Sequence, residues 1–470
     1  MGDSEYTAFT LMTDIGLISI LMIIGTFMRR HFTWFRNLLI PSPIIAGLLG
    51  LLLGPEVLGI MPFSNALGDY STLLIAIVFA SMPYSMSFQS GDMKKARNMW
   101  AYSTSMFLGQ WAIFILLGIF LFKPLFGTED WFGMMLPVGF VGGFGTAAAV
   151  GGALDGVGAD AAMSLGFMSA TVGTLAAIVG GIIFANWGIK SGRANTLPKE
   201  LPWELLSGAI EDPKKQPSIG KATTNPSSIE PLALHLGFIM MTVMFAYFIQ
   251  QAIQHQFPNV SIPLFALAFV VGILGVLGLK VIKRPEYLNP QTVKSISGGS
   301  TDYLIAFGVA SIVPSAIASY WLPLLVLFLL GLAYCFVFFR YISPLFFGEK
   351  WLERGVFGWG WATAAVATGI ALLKIVDPDL KSGTLNDYGV AYVGFAPFEI
   401  GMTILAPIAV VSGFTFGLGG AALVAGVGIF LFPILSGWLP KQGGKQGGQS
   451  SGQQAGAGQQ SRKQAGEQPR

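Results

Sequence analysis

Gly142-Gly143-Phe144-Gly145-Thr146-Ala147-Ala148 and, far downstream, Gly358-Trp359-Gly360-Trp361-Ala362-Thr363-Ala364-Ala365 are the two stretches whose reading decides the fold. Both lie in apolar runs, 136–154 and 356–373, crowded with Gly, Ala and Thr where a lipid-facing helix would carry Leu and Ile. Glycine lets a chain turn sharply and bares its N–H and C=O groups. At membrane depth such a turn is tolerated only where it packs in protein or lines a cavity. Both runs therefore read as re-entrant hairpins, entering a membrane and leaving on the same side.

Composition supplies the membrane. Of 470 residues, 53% are hydrophobic and 11% charged, with a mean hydropathy of +0.64. A soluble chain carries about a quarter charged residues. The net charge of +3, confined to loops, gives no reason to expect a nucleic-acid partner. Apolar runs near the roughly twenty residues that cross a bilayer fall at 9–28, 41–60, 67–88, 99–122, 162–187, 231–253, 262–282, 301–319, 322–341, 388–411 and 416–438. The acidic start, Met1-Gly2-Asp3-Ser4-Glu5, lacks the basic residues of a cleavable leader. The lone Cys335 sits in an apolar run and reads as a packing residue.

Loop charge tests the hairpins. With both re-entrant, the Lys- and Arg-rich loops 29–36, 92–97, 190–230, 283–294, 340–354 and the tail share one side, which marks that side as cytoplasmic. The amino terminus is then outside, and the two hairpins enter from opposite faces. If only one run crossed fully, every later loop would change sides and the bias would vanish.

The chain also repeats. Pro43-Ile44-Ile45-Ala46 resembles Pro263-Leu264-Phe265-Ala266 at a shift of 220 positions, and Leu74-Ile75-Ala76 recurs as Leu304-Ile305-Ala306 at 230. Thr146-Ala147-Ala148 recurs as Thr363-Ala364-Ala365 at 217, and Val172-Gly173 as Val393-Gly394 at 221. The expected architecture is an all-α polytopic membrane protein of two inverted-topology repeats, each of five transmembrane helices plus one hairpin. Residues 1–190 form the first repeat with a hairpin near 136–155, 191–229 a cytoplasmic linker, and 230–411 the second repeat with a hairpin near 355–374. An extra transmembrane helix (412–440) and a Gln/Gly-rich disordered tail (441–470) follow. This is a recurrent secondary-transporter design, with the site at the midplane where repeats meet.

Candidate site residues follow from that design. A helix starting near Thr146 or Thr363 would point its positive end at an anionic group. Gly143, Gly145, Thr146, Gly360, Thr363 and Thr171 are the candidates for substrate, and Gly142, Gly358, Ser81, Ser311 and Ser169 for a coupling cation. Close helix packing is the structural alternative for the glycines, and bonding to the helix's own backbone for the hydroxyls. Glu399, in the tenth span, is a candidate for either ligand, because a carboxylate there costs several kcal/mol without a partner. Its structural alternative is a bond to Thr403 or a Trp indole. Pro83, Pro314 and Pro397 are expected to break or kink their spans, whereas Gln89, Gln110, Asn186 and His235 are placed toward span ends and solvated there. Lys374 is the one cation near the second hairpin. No P-loop, nucleophile–base pair or transition-metal cluster appears, so no enzyme activity and no cofactor is expected.

The Pro41-Ser42-Pro43-Ile44-Ile45-Ala46-Gly47 entry, Gly142-Gly143-Phe144-Gly145-Thr146, Ala170-Thr171-Val172-Gly173, the second hairpin and Glu399 together resemble the sodium/glutamate symporter family, over about residues 9–411. The resemblance implies Na⁺-coupled uptake of L-glutamate across a bacterial inner membrane. It also implies a homodimer in which hairpins and neighbouring spans move against a fixed scaffold. The chain departs from the family's pattern at Phe144 (often His), Ala147 (often Gly), the Trp-rich second hairpin and Glu399 (often Asp). These departures keep open an H⁺- or Na⁺-coupled carrier of another amino acid or organic anion.

Overall fold

The computed structural model describes residues 6–33, 35, 40–85, 93–193, 207–257, 262–377 and 380–440. The tail, Gln89 and part of the linker lie outside these. Among the described residues the chain is all helical, with no strand.

The first part runs α1 (Ala8–His31), α2 (Ser42–Leu53), α3 (Leu67–Ser85) and α4 (Met93–Leu117). A π segment carries α4 on through Gly118–Phe122 into Lys123–Phe126. Then come the broken unit α5 (Met135–Gly139), α6 (Gly143–Thr146) and α7 (Gly152–Asp155), and the long α8 (Ala162–Lys190). The second part runs α9 (Pro231–Gln256), α10 (Leu264–Val281), α11 (Pro290–Ala310), α12 (Pro314–Ser319) and α13 (Trp321–Val337). A second π segment, Phe338–Ile342, leads to α14 (Ser343–Phe347). The broken unit α15 (Trp351–Thr363) and α16 (Val366–Val376) follows, then α17 (Thr384–Val411) and the final α18 (Thr415–Leu435).

Matching local devices recur in the two parts. Pro41 and Pro263 precede α2 and α10 with nearly the same backbone angles, φ −60° and ψ 136° against φ −60° and ψ 138°. Proline presets φ and lacks the N–H that a first turn leaves unused. After each π segment a Pro-Leu-Phe turn, Pro124-Leu125-Phe126 or Pro344-Leu345-Phe346, ends at a left-handed glycine. These are Gly127 (φ 70°) and Gly348 (φ 59°), and each is followed by a 3₁₀ turn leading to its broken unit. This match, a shift of 220 between Pro124 and Pro344, escapes a search for apolar similarity because its content is the turn rather than the face.

Nine helices among the described residues are long and apolar enough to cross a membrane. The eleven expected spans are thus corrected in three places. The second is a helix of 12 residues, stopped by Gly54-Pro55. The eighth starts earlier, on the polar run after Pro290, and breaks over Ser311–Val313 ahead of Pro314. The ninth runs on into α15 as one apolar stretch, Trp321–Thr363, divided by the turn at Gly348. By contrast, α3 and α17 continue through Pro83 and Pro397.

Tight packing divides the helices into two groups. α3 packs on α10 and α11 and α2 on α11, with α1 against α2 and α9 against α10, while the largest apolar core bridges this group and the other. Two smaller apolar cores lie wholly within this group. The other group gathers α4, both broken units, α8, α13, α17 and α18, with α18 and α17 against α4 and α8 against both broken units. Large side chains such as Met240, Met244 and Phe248 on α9 and Phe9, Ile23 and Phe27 on α1 stay exposed. An apolar surface of that extent belongs in lipid; the chain is a multi-pass membrane protein.

His235 lies near the start of α9 as expected, but burial corrects the solvation expected there. His235 is fully buried, its Nδ1 against the Pro231 carbonyl at 2.6 Å and its Nε2 accepting from Asn289 N–H at 2.8 Å. Near one end of α1, Asp14 is also buried and accepts from Ser64 N–H, Ser64 Oγ and Tyr70 OH. Three donors offset much of the cost of burying a carboxylate, and Asp14 ties α1 to the start of α3.

Candidate functional site

The first break falls at Phe140–Gly142, between α5 and α6, where Pro137 and the glycines cannot sustain a ladder of helix bonds. Gly143 takes φ 65°, a left-handed value costing an L-residue about 1–2 kcal/mol. The second break falls at Ala364–Ala365, beyond the glycines named in the sequence, with φ −147° and −164°. Gly358 and Gly360 are therefore interior to α15. A Cβ at Gly358 would lie 2.8 Å from the Tyr102 hydroxyl, and one at Gly360 would lie 2.8 Å from the Gly369 Cα. Close packing is their role here; they do not form the turn.

The two breaks touch. A Cβ built on Gly143 would stand 2.8 Å from the Ala364 carbonyl oxygen. The start of α6, with positive dipole, thus meets the end of α15, with negative dipole. No side chain caps either α6 or α16 at its N-terminus. Ala365 and Ala367, at the start of α16, are exposed. Thr363 ends a helix rather than starting one, and its hydroxyl donates to Trp359 O at 2.7 Å. Thr146 lies in the first turn after its break, and its hydroxyl makes no hydrogen bond among the described residues.

The long α8 crosses both breaks. A Cβ on Gly139 would meet Ala170 N at 2.4 Å, and one on Gly173 would meet Thr363 O at 2.3 Å. Ser169 Oγ reaches Leu136 O at 3.4 Å, and Trp359 Nε1 donates to Ala177 O at 3.0 Å. Thr171 turns its hydroxyl back to Phe167 O at 2.8 Å. Gly145 faces Ile75 of α3, and Gly142 packs on Thr146. The structure thus brings together Gly142, Gly143, Gly145, Thr146, Ser169 and Thr363.

Ser81 and Ser311 sit apart from that junction. Ser81 lies six residues, nearly two turns, beyond Ile75 and donates to Ile77 O at 2.7 Å. Ser311 donates to Gly308 O at 3.0 Å at the break before α12. Ser164 of α8, which the sequence did not single out, accepts from Val313 N–H at that break.

Gln110 departs furthest from what the sequence leads one to expect. Far from being solvated at a span end, it is fully buried. Its Oε1 accepts from Val141 N–H at 3.2 Å, and its Nε2 donates to Ala362 O at 3.2 Å, so one carboxamide touches both breaks. Its Nε2 also lies 3.3 Å from the sulfur of buried Cys335. A glutamine inside a run of Phe, Trp and Ile is a signal in itself, since a buried amide without partners costs several kcal/mol.

Glu399 lies one turn beyond Phe395, whose ring stands 5.3 Å from that of Trp361 in α15. Tyr392 turns its hydroxyl to the Glu399 carboxylate, and Oε2 remains buried without a hydrogen-bond partner among the described residues. Thr403 bonds the Glu399 backbone carbonyl and leaves the carboxylate alone. The neighbouring helix α4 presents Trp100, Thr104, Phe107 and Trp111 at helical spacing, with the Phe107 ring 5.2 Å from Phe395. The polar atoms of Trp100, Thr104 and Trp111 also lack partners among the described residues, as does the Tyr388 hydroxyl.

A family model described as sodium/glutamate symporter matches residues 7–369, most of the chain. The chain belongs to the sodium/glutamate symporter family. No protein of curated function matches it. The symporter match takes in both breaks and Gln110 but ends inside α16, short of Glu399. Membership makes this chain a transporter rather than an enzyme, and associates it with Na⁺-coupled glutamate transport.

Proposed function

We propose that this chain is a sodium-coupled secondary symporter importing L-glutamate across the bacterial inner membrane by alternating access, with its site between two re-entrant hairpins of inverted repeats. The contact of Gly143 with the Ala364 carbonyl carries the reading. Two broken helices meeting at their breaks, each followed by an uncapped helix N-terminus, form the arrangement that holds anionic substrates in such carriers. The carboxylates would take the N–H groups at the starts of α6 and α16, with Gly143, Gly145, Thr146, Gly360, Thr363, Thr171 and Glu399 as substrate residues. Gly360 would contribute through the packing of the hairpin arms, and Thr363 through its backbone. Na⁺ would take oxygen ligands from carbonyls freed at Gly142, from Ser169 and Glu399, and from Ser81 and, at the neighbouring break before α12, Ser311, with Gly358 contributing through the packing of α15. The two packing groups support an elevator motion of the hairpin group against the other, in a homodimer with the amino terminus outside. Uptake of labelled glutamate into proteoliposomes with and without an inward Na⁺ gradient tests the proposal. Uptake that ignores Na⁺ would overturn it.

One observation favours a second reading, an H⁺- or Na⁺-coupled carrier of another amino acid or organic anion. Glu399 keeps a buried, unpartnered oxygen among aromatic rings, the setting of a group that takes up a proton. Uptake driven by a pH gradient in Na⁺-free vesicles selects this reading.

A further inference from the structure

We infer that Gln110 is a positioning residue that holds the two breaks in register through its single carboxamide; this rests on the breaks forming the transport site. Each broken helix leaves orphan groups, donors where a helix starts and acceptors where one ends. Val141 N–H lies in the first break, where the helix ladder has lapsed, and Ala362 C=O lies in the last turn of α15. One orphan is a donor and the other an acceptor, 3.2 Å from Oε1 and Nε2 of the same side chain. A primary amide satisfies both at once, whereas a carboxylate only accepts and an ammonium only donates. Apolar packing holds Gln110 in place, with Trp111 and Phe107 buried beside it. α4 therefore reads the relative position of the hairpins: if either break slides, a buried hydrogen bond is lost. Cys335 does not duplicate this role, because its sulfur lies 3.9 Å from Ala362 O and reaches no atom of the first break.

The test uses the full-length protein in detergent and in proteoliposomes. Gln110→Met keeps the length and loses the amide; Gln110→Glu, neutral when buried, keeps an acceptor for Val141 and an O–H donor for Ala362. Loss of one buried hydrogen bond should speed amide exchange at Val141 about tenfold in Gln110→Met. Exchange in the peptides of α9 and α10 should stay unchanged. Gln110→Glu should keep Val141 protected. In transport, Gln110→Met should raise KM about tenfold while changing the maximal rate less, and Gln110→Glu should fall between it and the parent. Unchanged exchange at Val141, or a parental KM in both variants, would overturn the inference. If Gln110→Met fails to fold, Gln110→Leu, which also lacks the amide, takes its place in both measurements. A parent protein that takes up no glutamate overturns the function proposed above, yet leaves the exchange measurement to decide the role of Gln110.

Discussion

The two broken helices perform one task with different residues. The first contains Pro137, Gly139, Gly142 and Gly143, and its turn uses a left-handed φ that only glycine adopts cheaply. The second turns at two alanines with negative φ, just past Thr363, while Gly360 and Gly358, three and five residues before Thr363, serve close packing. The first break is written in local chemistry. The second is imposed by what surrounds it: the Tyr102 hydroxyl on Gly358, the α8 backbone on Thr363, and an ion pair of Arg354 with Asp387 that clamps its base to α17. The lesson is that a matched pair of Gly-rich stretches need not mean a matched pair of Gly turns.

Substitutions can break or sharpen this contrast. The largest effect is expected for Gly143→Ala, which puts a Cβ in the left-handed region and 2.8 Å from the Ala364 oxygen. A loss of about 2–3 kcal/mol of stability and most uptake should result, read by thermal unfolding and by proteoliposome flux. A parental phenotype would remove the contact between breaks as the centre of the site. Next comes Glu399→Gln, which keeps the shape and removes the charge. Uptake should lose its Na⁺ or pH dependence, or fall at least about tenfold, as is expected when a buried functional charge is removed; an unchanged cation profile would make Glu399 structural.

The hydroxyls give a smaller and asymmetric effect. Thr146→Val should weaken uptake by about tenfold, since that hydroxyl has no partner among the described residues and stands at the start of a helix. Thr363→Val should change it by about twofold, because its hydroxyl already serves the Trp359 carbonyl. Equal losses in the two would restore the symmetry that the structure denies. The smallest effect belongs to Ala364→Gly. A residue at negative φ gains nothing from glycine beyond added freedom when unfolded, about 0.5–1 kcal/mol. A large gain or loss of transport in that variant would mean that the second turn does depend on glycine-like conformations.

Much of the fold was legible because it rests on composition and on local rules. The long apolar runs, the paired prolines before α2 and α10, and the two low-leucine stretches all announce themselves through solvent preference and backbone restriction, which act residue by residue. The family, too, was visible in the Gly142–Thr146 motif and its setting. Span two misled because apolar composition continues past Gly54-Pro55, where the helix stops. Span eight misled because its helix starts at Pro290 behind an Asn289 cap and runs through exposed Ser and Gly residues that apolar composition does not mark.

What the tertiary structure alone decided is where the polar groups find partners. From sequence, Gln110 and His235 are unusual residues in apolar company, and solvent at a span end satisfies both. In the folded chain Gln110 meets an orphan N–H and an orphan C=O together, at two helix breaks brought side by side along α8. The same packing turned Thr363 from a helix start into a helix end and moved the second turn onto Ala364. Sequence determined that two breaks exist, since glycine, proline and the absence of bulky apolar side chains are local facts. Only the tertiary structure decided how they meet, because hydrogen-bond satisfaction depends on neighbours far apart in the chain.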